Sequence, residues 1–374
     1  MSSRRLRIVV LGLSLSSSWG NGHATTYRSL LKALSARGHD ILFLERDVSW
    51  YAATRDLIDP DYCKLVFYES LSDLEFHRAA IASADAVIVG SYVPDGIAVG
   101  HFVQATARGI RAFYDIDTPV TLDKLDNGTC SYLSPNQIAG YDLYLSFTGG
   151  PVLSQIEQVY GAPAARALYC SVDPDLYAPI RTSYRWDLSF LGTYSPDRQP
   201  LLQRLLIEPA KRAPHLKFAV AGAQYPKSIS WPANVELIEH ISPKQHPIFY
   251  GASRFTLNVT RASMVRAGYS PSVRLFEAAA SGTAIISDPW PGLETILKPD
   301  RDVIIATRLE DVLAALLSIP DSRRRRLAQS ARRRVLANHT AAHRAAELEK
   351  YLLEALQSRS IRAPSSSTRS LQAQ

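Results

Sequence analysis

The sequence is poor in cysteine and contains no long hydrophobic run. Its 374 residues include three cysteines, Cys63, Cys130 and Cys170, which lie far apart along the chain. An odd number of scattered cysteines suggests neither a disulfide framework nor a zinc site, so a reducing cytoplasm is the simplest location. No apolar stretch is long enough to cross a bilayer. The composition therefore argues against a disulfide-stapled secreted domain and against an integral membrane protein.

Charged residues are not abundant either, and their sign is uneven. They make up 21% of the chain beside 46% hydrophobic residues, which is ordinary for a soluble globular protein. The formal net charge is +7, and much of it comes from two arginine runs at residues 323–326 and 332–334. A solvated helix face is the simplest interpretation, and weak contact with an anionic surface at the inner membrane face is the alternative. No aromatic residues interleave with the arginines, so we expect no nucleic-acid partner.

The chain is long for a single domain, and two domains are expected. In the first half, short apolar strands such as residues 86–90 and 110–115 alternate with helices such as residues 24–37. Strands separated by helices indicate a parallel sheet with both faces covered. A turn-rich segment at residues 170–179 interrupts the alternation, which restarts at residue 187. The sequence thus predicts two α/β units joined by a linker.

The most informative segment runs from Gly268 to Asp288. It reads as a Gly/Ser/Pro turn, a short Ala-rich helix containing Glu277, a glycine, and a buried strand. A turn that opens a helix leaves free backbone N–H groups and the positive end of the helix dipole, which suits a phosphate group. A glutamate in such an apolar helix would be costly to bury without a partner, which favours a functional role. A helical ion pair with Arg274 is the alternative explanation.

This order of turn, helix, glutamate and strand resembles the donor-nucleotide site of GT-B glycosyltransferases, which consist of two facing Rossmann-like domains. The segment at residues 170–179 is similar to the connector between the two domains of such enzymes. Within the class, the chain resembles the spore-protein CgeB-like branch. The resemblance covers about residues 7–356 and is strongest from residue 187 onward.

The resemblance implies an α/β GT-B fold and a transferase that moves a sugar from a nucleoside-diphosphate sugar to an acceptor hydroxyl. UDP is the expected nucleotide. Neither a metal nor another cofactor is expected, because GT-B donor sites use helix dipoles and cations. The predicted divisions are an acceptor domain at residues 1–172, a donor domain at residues 180–337, a C-terminal helix at residues 338–358 that crosses back to the first domain, and a disordered tail at residues 359–374.

The resemblance also implies which residues of the second domain bind the donor. The glutamate of the Ala-rich helix would bond the ribose hydroxyls, and the backbone N–H groups at the helix start would hold the phosphates. A glycine turn after the strand at residues 187–191 would let the backbone approach the diphosphate, and two loop arginines would neutralise its charge. The predicted donor-binding residues are Gly192, Arg198, Arg261, Tyr269, Ser270, Ser272 and Glu277.

In the first domain, a Ser/Gly-rich loop at residues 14–22 follows the first strand. Its Gly20 and Gly22 would let a substrate approach the backbone closely. His23 then opens a helix, and in inverting GT-B enzymes a histidine at this place can act as general base on the acceptor hydroxyl. The unperturbed pKa of histidine suits that role. We predict His23 as a catalytic residue, with a polar first-turn residue as the alternative.

Two carboxylates, Asp115 and Asp117, end another strand of the same sheet. Their spacing puts both side chains on one side while the strand stays extended. Asp117 would orient His23 or serve as the base itself, and Asp115 would line the cleft. Capping of the following turn is the alternative for both. Two ligands are too few for a metal site, so no metal is predicted.

Two other functions are compatible with the same motifs. A nucleotide-sugar epimerase on the same fold would need further acid and base residues in the cleft. A non-catalytic protein that binds a nucleotide or a sugar is the second alternative. It stays open because many retaining GT-B enzymes carry an additional glutamate near the transferred sugar, and Tyr269 occupies that position here.

Overall fold

Two parallel β-sheets organise the molecule, one in each half of the chain. The computed structural model describes residues 4–20 and 22–362. The strands of the first sheet are, in chain order, β1 (Arg7–Gly12), β2 (Asp40–Arg46), β3 (Lys64–Tyr68), β4 (Ala86–Gly90), β5 (Ile110–Asp115), β6 (Leu143–Ser146) and β7 (Ala165–Ala167). The strands of the second sheet are β8 (Trp186–Leu191), β9 (Phe218–Ala221), β10 (Val235–Ile238), β11 (Ser253–Asn258), β12 (Ala284–Ser287) and β13 (Ile304–Ile305).

The two sheets share one kind of topology. Their strand orders are β3-β2-β1-β4-β5-β6-β7 and β10-β9-β8-β11-β12-β13, and neighbouring strands are parallel. In each sheet the order reverses beside the first strand of the domain, between β1 and β4 and between β8 and β11. Ligands in open parallel sheets bind beyond the carboxyl ends of the strands at such a point. The loops after these four strands are therefore the expected binding loops.

Helices cover both faces of each sheet, which is why strands such as β4 and β9 are buried along their whole length. The helices of the first half are α1 (Gly22–Ala36), α2 (Ser49–Ala52), α3 (Arg78–Ser83), α4 (Gly96–Thr106), α5 (Thr118–Asp126), α6 (Pro135–Ile138) and α7 (Pro151–Gln158). Those of the second half are α8 (Gln199–Leu202), α9 (Glu208–Arg212), α10 (His246–Gly251), α11 (Ala262–Ala267), α12 (Val273–Ala280), α13 (Leu293–Ile296), α14 (Leu309–Ser318), α15 (Asp321–Asn338) and α16 (Ala341–Arg362). Two 3₁₀ segments, Leu71–His77 and Pro243–Gln245, complete the description.

The chain crosses between the two halves twice. The first crossing follows β7, and the second is the turn between α15 and α16. The two crossings touch, because Val172 pairs with Thr340 in an isolated parallel bridge. Helix α16 then lies against α1 of the first half, where Arg37 Nε donates to Glu349 at 2.6 Å. None of the helices within the described ranges is both long and apolar enough to span a membrane.

The α/β architecture predicted from the sequence is confirmed, with local differences. Several short helices, including α5, α7 and α11, were not predicted, because their sequences are brief and begin in turn-like residues. A π turn at Gln203–Ile207 joins α8 to α9. Helix α16 extends to Arg362, so residues 359–362 are helical rather than part of a disordered tail. The remainder of that predicted tail, residues 363–374, lies outside the described residues.

Candidate active site

A cavity of about 390 Å³ lies between the two halves at the carboxyl ends of both sheets. It is lined by the loops after β1, β5, β8, β9, β10 and β11 and by the start of α12. These loops include three of the four that the topology marks as binding loops. The predicted site residues that line this cavity are Gly20, Gly22, His23, Asp117, Gly192, Arg198, Arg261, Ser272 and Glu277.

Two guanidinium groups of the second half crowd one glycine at the cavity wall. A Cβ placed on Gly192 would lie 2.6 Å from Arg274 Nη2 and 3.1 Å from Arg198 Nη1, so a larger residue here would displace the guanidinium of Arg274. Burial, followed by repulsion from Arg274, lowers the pKa of Arg198 to about 10. Burial also lowers the pKa of Arg274. Within the described residues, no acceptor reaches the buried Nε of Arg198. Arg274 is buried and Arg198 is half-buried, and an anion in the cavity would stabilise the charge of both.

The start of α12 is ordered by one asparagine at the end of β11. Asn258 Oδ1 accepts a bond of 2.8 Å from Ser272 Oγ and one of 3.0 Å from Arg274 Nη1. Arg274 also donates to the carbonyl of Leu191 and lies over the Phe190 ring, with its Cζ 4.6 Å from the ring centroid. Asn258 thus fixes the first turn of the helix and one buried cation together. The free N–H groups of that turn and the arginine face the same cavity.

Glu277 lies one turn further along α12 and is 3% exposed at the cavity wall. Tyr177 donates its hydroxyl to Oε1 at 2.9 Å, and Tyr250 donates to Oε2 at 3.4 Å. His246 Nδ1 lies 3.7 Å from Oε2. Burial raises the pKa of Glu277, but the hydrogen bond and charge of His246 and the bond from Tyr177 outweigh it, so this pKa lies below its ordinary value. The carboxylate is therefore ionised and partnered from several sides.

The alternative explanation of Glu277, a helical ion pair with Arg274, does not fit this arrangement. The guanidinium of Arg274 makes its hydrogen bonds to Leu191 and Asn258, while the carboxylate receives those of the tyrosines. The arginine contributes only charge at a distance to the low pKa of Glu277. Each side chain therefore presents its own functional group to the cavity.

On the first-half side, His23 and Asp117 flank a tyrosine in a strained conformation. Tyr92 has φ 62°, which is uncommon for a residue with a side chain. Its hydroxyl donates to Asp117 Oδ2 at 2.9 Å, and its ring meets the His23 ring edge-on at 5.6 Å between centroids. Burial lowers the pKa of His23 to about 4. The imidazole is therefore neutral at physiological pH and able to accept a proton, although its basicity is low.

Asp117 also connects the two halves. Its Oδ2 lies 3.5 Å from Arg261 Nη1, and the same arginine lies 3.4 Å from Asp197. Burial raises the pKa of Asp117, and the charge of Arg261 opposes that shift. Arg261 thus bridges a carboxylate of each half at the mouth of the cavity.

The Ser/Gly-rich loop before α1 is held by hydrogen bonds to a buried carboxylate. Glu45 Oε1 accepts from the hydroxyls of Ser14 and Ser16 at 2.8 and 2.6 Å. Its Oε2 accepts from the backbone N–H groups of Leu15 and Ser16 at 2.6 and 2.9 Å. These four bonds fix the loop that leads to Gly20, Gly22 and His23.

Three predicted site residues lie away from the cavity. Asp115 is fully buried behind it, where its carboxylate accepts from Tyr144 at 2.6 Å and from Thr121 at 2.8 Å. Tyr269 and Ser270 instead form the seam between the halves. The Tyr269 carbonyl accepts from Gly149 N at 2.9 Å, and Ser270 Oγ lies 2.8 Å from Thr148 Oγ1. The spacing of two predicted one side for Asp115 and Asp117 while the strand stays extended, but β5 ends at Asp115 and only Asp117 lines the cavity.

Several residues at the site were not predicted from the sequence. Tyr177 and His246 meet Glu277 only after folding, and no local pattern marks them as site residues, whereas Asn258 ends a strand, where polar side chains line a cleft. Arg274 was noted only as an ion-pair partner. Tyr92 carried a weak signal, because it follows a buried strand at the sheet's switch point. Within the described residues, no group of three or more histidine, cysteine, aspartate or glutamate side chains is placed to hold a metal ion.

The arginine-rich helix α15 uses part of its charge inside the protein. Arg324 and Arg325 pair with Asp321 at 2.7 and 3.0 Å, and Arg334 Nε donates to Asp302 at 2.5 Å. Arg332 donates to the carbonyl of Ala280. The arginines that stay on the exposed face are Arg323, Arg325, Arg326 and Arg333.

Comparison with known proteins identifies the second half at family level. Residues 198–350 match the family model described as "Glycosyl transferase-like". This range contains α12, Glu277 and most of the donor-side residues described above. No curated protein sequence matches the chain.

Solved structures match nearly the whole chain. Sucrose-phosphate synthase from Thermosynechococcus elongatus superposes with a TM-score of 0.68 at 13% identity, covering 95% of this chain and 100% of that one. Anabaena Alr3699/HepE in complex with UDP and glucose gives 0.67 at 11% identity, covering 94% and 100%. An alpha-glucosyltransferase in complex with UDP-glucose and DNA containing an abasic site gives 0.69 at 11% identity, covering 94% and 100%. At such low identity these matches establish the fold, which is GT-B.

Proposed function

We propose that the cleft transfers a sugar from a nucleoside-diphosphate donor, held by the second half, to a hydroxyl of an acceptor held by the first. The family match and the fold support a glycosyltransferase that uses a nucleotide-sugar donor. The observation that carries the proposal is a pair of guanidinium groups, the buried Arg274 and the half-buried Arg198, beside the N-terminal turn of α12. Such a pair is costly without an anion and suits a diphosphate.

The charged groups of the second half suggest where each part of the donor would lie. The diphosphate would lie between Gly192, Arg198, Arg274 and the start of α12, where cations and the helix dipole also stabilise the charge of the leaving nucleotide. Glu277, one turn along the same helix, would accept hydrogen bonds from the ribose hydroxyls. Its low pKa keeps it an acceptor at neutral pH. The neighbours crystallised with UDP or UDP-sugar favour UDP as the nucleotide.

The acceptor half supplies a proton acceptor. His23 is our proposed general base, because it lines the cavity and burial keeps it neutral. Asp117 is the second candidate, but its carboxylate already binds Tyr92 and Arg261. We therefore assign Asp117 to holding the mouth of the cleft. Exclusion of water by the two halves would limit hydrolysis of the donor.

Calorimetric titration with UDP, GDP and TDP tests the donor site. We expect one nucleotide to bind the wild-type protein and to bind Glu277→Ala at least about tenfold more weakly, since a bond to a charged group is lost. Glu294→Ala, which removes an exposed glutamate of the same half, is the control. Equal affinity of the Glu277 variant would remove the proposed donor site. Incubation with the matching nucleotide sugar and release of free nucleotide would then separate an enzyme from a binding protein.

Two finer assignments from the sequence stay predictions. One is membership of the CgeB-like branch. The other is weak contact of the exposed arginines of α15 with an anionic membrane surface. Sedimentation with vesicles of anionic and of neutral lipid tests the second, and equal binding to both would contradict it.

A further inference from the structure

A tyrosine of the chain crossing reaches the donor-side carboxylate. Tyr177 follows the Val172–Thr340 bridge, is 1% exposed, and donates its hydroxyl to Glu277 Oε1 across 100 positions of sequence. His246 Nδ1 lies 3.0 Å from the same hydroxyl oxygen and 3.7 Å from Glu277 Oε2. The three side chains form a closed triangle at the cavity wall.

We propose that Tyr177 and His246 are positioning residues for donor recognition, which hold the Glu277 carboxylate in the orientation that reads the ribose hydroxyls. The inference rests on the proposed function, since it presumes that Glu277 meets the ribose of a nucleoside diphosphate. It adds specificity for ribose over deoxyribose, set by residues that do not touch the nucleotide.

Hydrogen-bond counting shows how the triangle holds the carboxylate. His246 Nε2 lies 3.1 Å from the carbonyl of Ile241, which can only accept, so Nε2 carries a proton. A tyrosine has a single hydroxyl proton, and that of Tyr177 points to Glu277. His246 Nδ1 then approaches Tyr177 as a donor. With both ring nitrogens protonated, the imidazole would balance the buried charge of Glu277.

The carboxylate keeps room for a ligand despite these partners. An ionised carboxyl group offers about four lone-pair sites, and the protein bonds to Glu277 use one side of each oxygen at most. Glu277 lines the cavity on its remaining side. Without Tyr177, rotation about the last bonds of the glutamate would cost little, and the acceptor geometry for two adjacent hydroxyls would be lost.

The same helix also touches the second chain crossing. Phe276, the neighbour of Glu277 on α12, stacks on His339 with 5.2 Å between ring centroids, and His339 O accepts from Val172 N at 3.3 Å. Both crossings thus contact α12 beside the carboxylate. This explains why the orientation of Glu277 is fixed by the linker and not only by its own helix.

The test compares UDP with 2′-deoxy-UDP by calorimetry. For the wild-type protein we expect UDP to bind about tenfold to a hundredfold more tightly, as for a hydrogen bond to a charged group. Glu277→Gln should remove most of that ratio. Tyr177→Phe should reduce it by about threefold to tenfold, and should weaken the binding of 2′-deoxy-UDP less than that of UDP, because only the 3′-hydroxyl remains there to meet Glu277. Tyr351→Phe, which removes a hydroxyl bound to the Ala167 carbonyl, is the matched control and should keep the ratio.

The outcomes separate two failures. If the wild-type protein shows no preference, or Glu277→Gln keeps it, the ribose role of Glu277 in the proposed function is wrong. If Glu277→Gln loses the preference and Tyr177→Phe keeps it in full, the positioning role is wrong. Thermal unfolding reports whether Tyr177→Phe folds. His246→Gln serves as the second variant, and its retention of the full ratio would equally overturn the proposal.

Discussion

The two walls of the cleft differ in charge and in what holds them. The second-half wall presents two guanidinium groups and a helix start, organised by Asn258 and tied to the chain crossing through Tyr177. The first-half wall presents a neutral imidazole and an ion-paired carboxylate, on a loop fastened by the internal carboxylate of Glu45. In our proposal, one wall receives an anion and the other accepts a proton.

The family model covers the two walls unequally. The match begins at residue 198 and so covers most of the donor-side wall, whereas the first half is known by its fold alone. A nucleoside diphosphate presents similar chemistry in every such donor, so the wall that binds it retains a recognisable pattern. The acceptor-side wall must instead fit a particular acceptor.

The largest effect should come from the proton-accepting wall. We expect His23→Ala to lower kcat about 10²- to 10⁴-fold, as loss of a general base does, with nucleotide affinity unchanged. Donor turnover and calorimetry on the same preparation measure the two quantities. His215→Ala, an exposed histidine of the other half, is the control. Full activity of the His23 variant would contradict the assignment and transfer the role to Asp117.

On the anion-binding wall, Arg198→Met should weaken nucleoside-diphosphate binding about tenfold to a hundredfold, because a buried charged bond to phosphate is lost. The control variant is Arg204→Met, which removes an exposed arginine of the adjoining helical segment. Nucleotide affinity measured by calorimetry should fall only in the first. The two variants should bind a nucleoside without phosphates with similar affinity. A large difference in that affinity would mean that the diphosphate lies elsewhere.

A smaller effect is expected from the anchor beneath the first-half loop. Glu45→Gln replaces one acceptor oxygen by an N–H₂ group facing backbone donors. We expect it to lower the free energy of unfolding by about 1–2 kcal/mol. Urea denaturation measures this loss, with Glu294→Gln as the exposed control. An unchanged unfolding midpoint would mean that the loop does not depend on this carboxylate.

The smallest effect concerns pH. A base acts in its unprotonated form, and burial lowers the pKa of His23 to about 4. Between about pH 6 and about pH 8, kcat/KM should therefore change by less than about twofold, and activity should be lost only as the pH falls toward that pKa. A pH–rate profile measures this. A fall centred near the ordinary pKa of histidine would show that His23 is less buried in the working enzyme, or that another base acts.

Sequence patterns predicted the regular elements well where apolar runs are bounded by turns. Strands β4 and β5 have the predicted bounds. The donor helix was recognised because a glutamate in an apolar helix is unusual. Short helices such as α5 were missed, since a few residues carry too little periodicity to identify a helix.

The candidate site was predictable only where it is local in sequence. Glu277, Ser272 and Arg198 lie beside turns that mark a phosphate loop. Tyr177 could not be found this way, because its partner is brought close by the fold and not by spacing. Asp115 shows the converse error, since a strand-end carboxylate was expected in the cleft and α5 covers it.

The central claim is that the second-half wall binds the diphosphate and the ribose together. A crystal structure of the protein with the tightest-binding nucleoside diphosphate tests this most directly. We predict phosphate oxygens within hydrogen-bond distance of Arg198, Arg274 and the first turn of α12, and ribose hydroxyls on Glu277. A nucleotide bound elsewhere, or bound here with its ribose away from Glu277, would contradict the account.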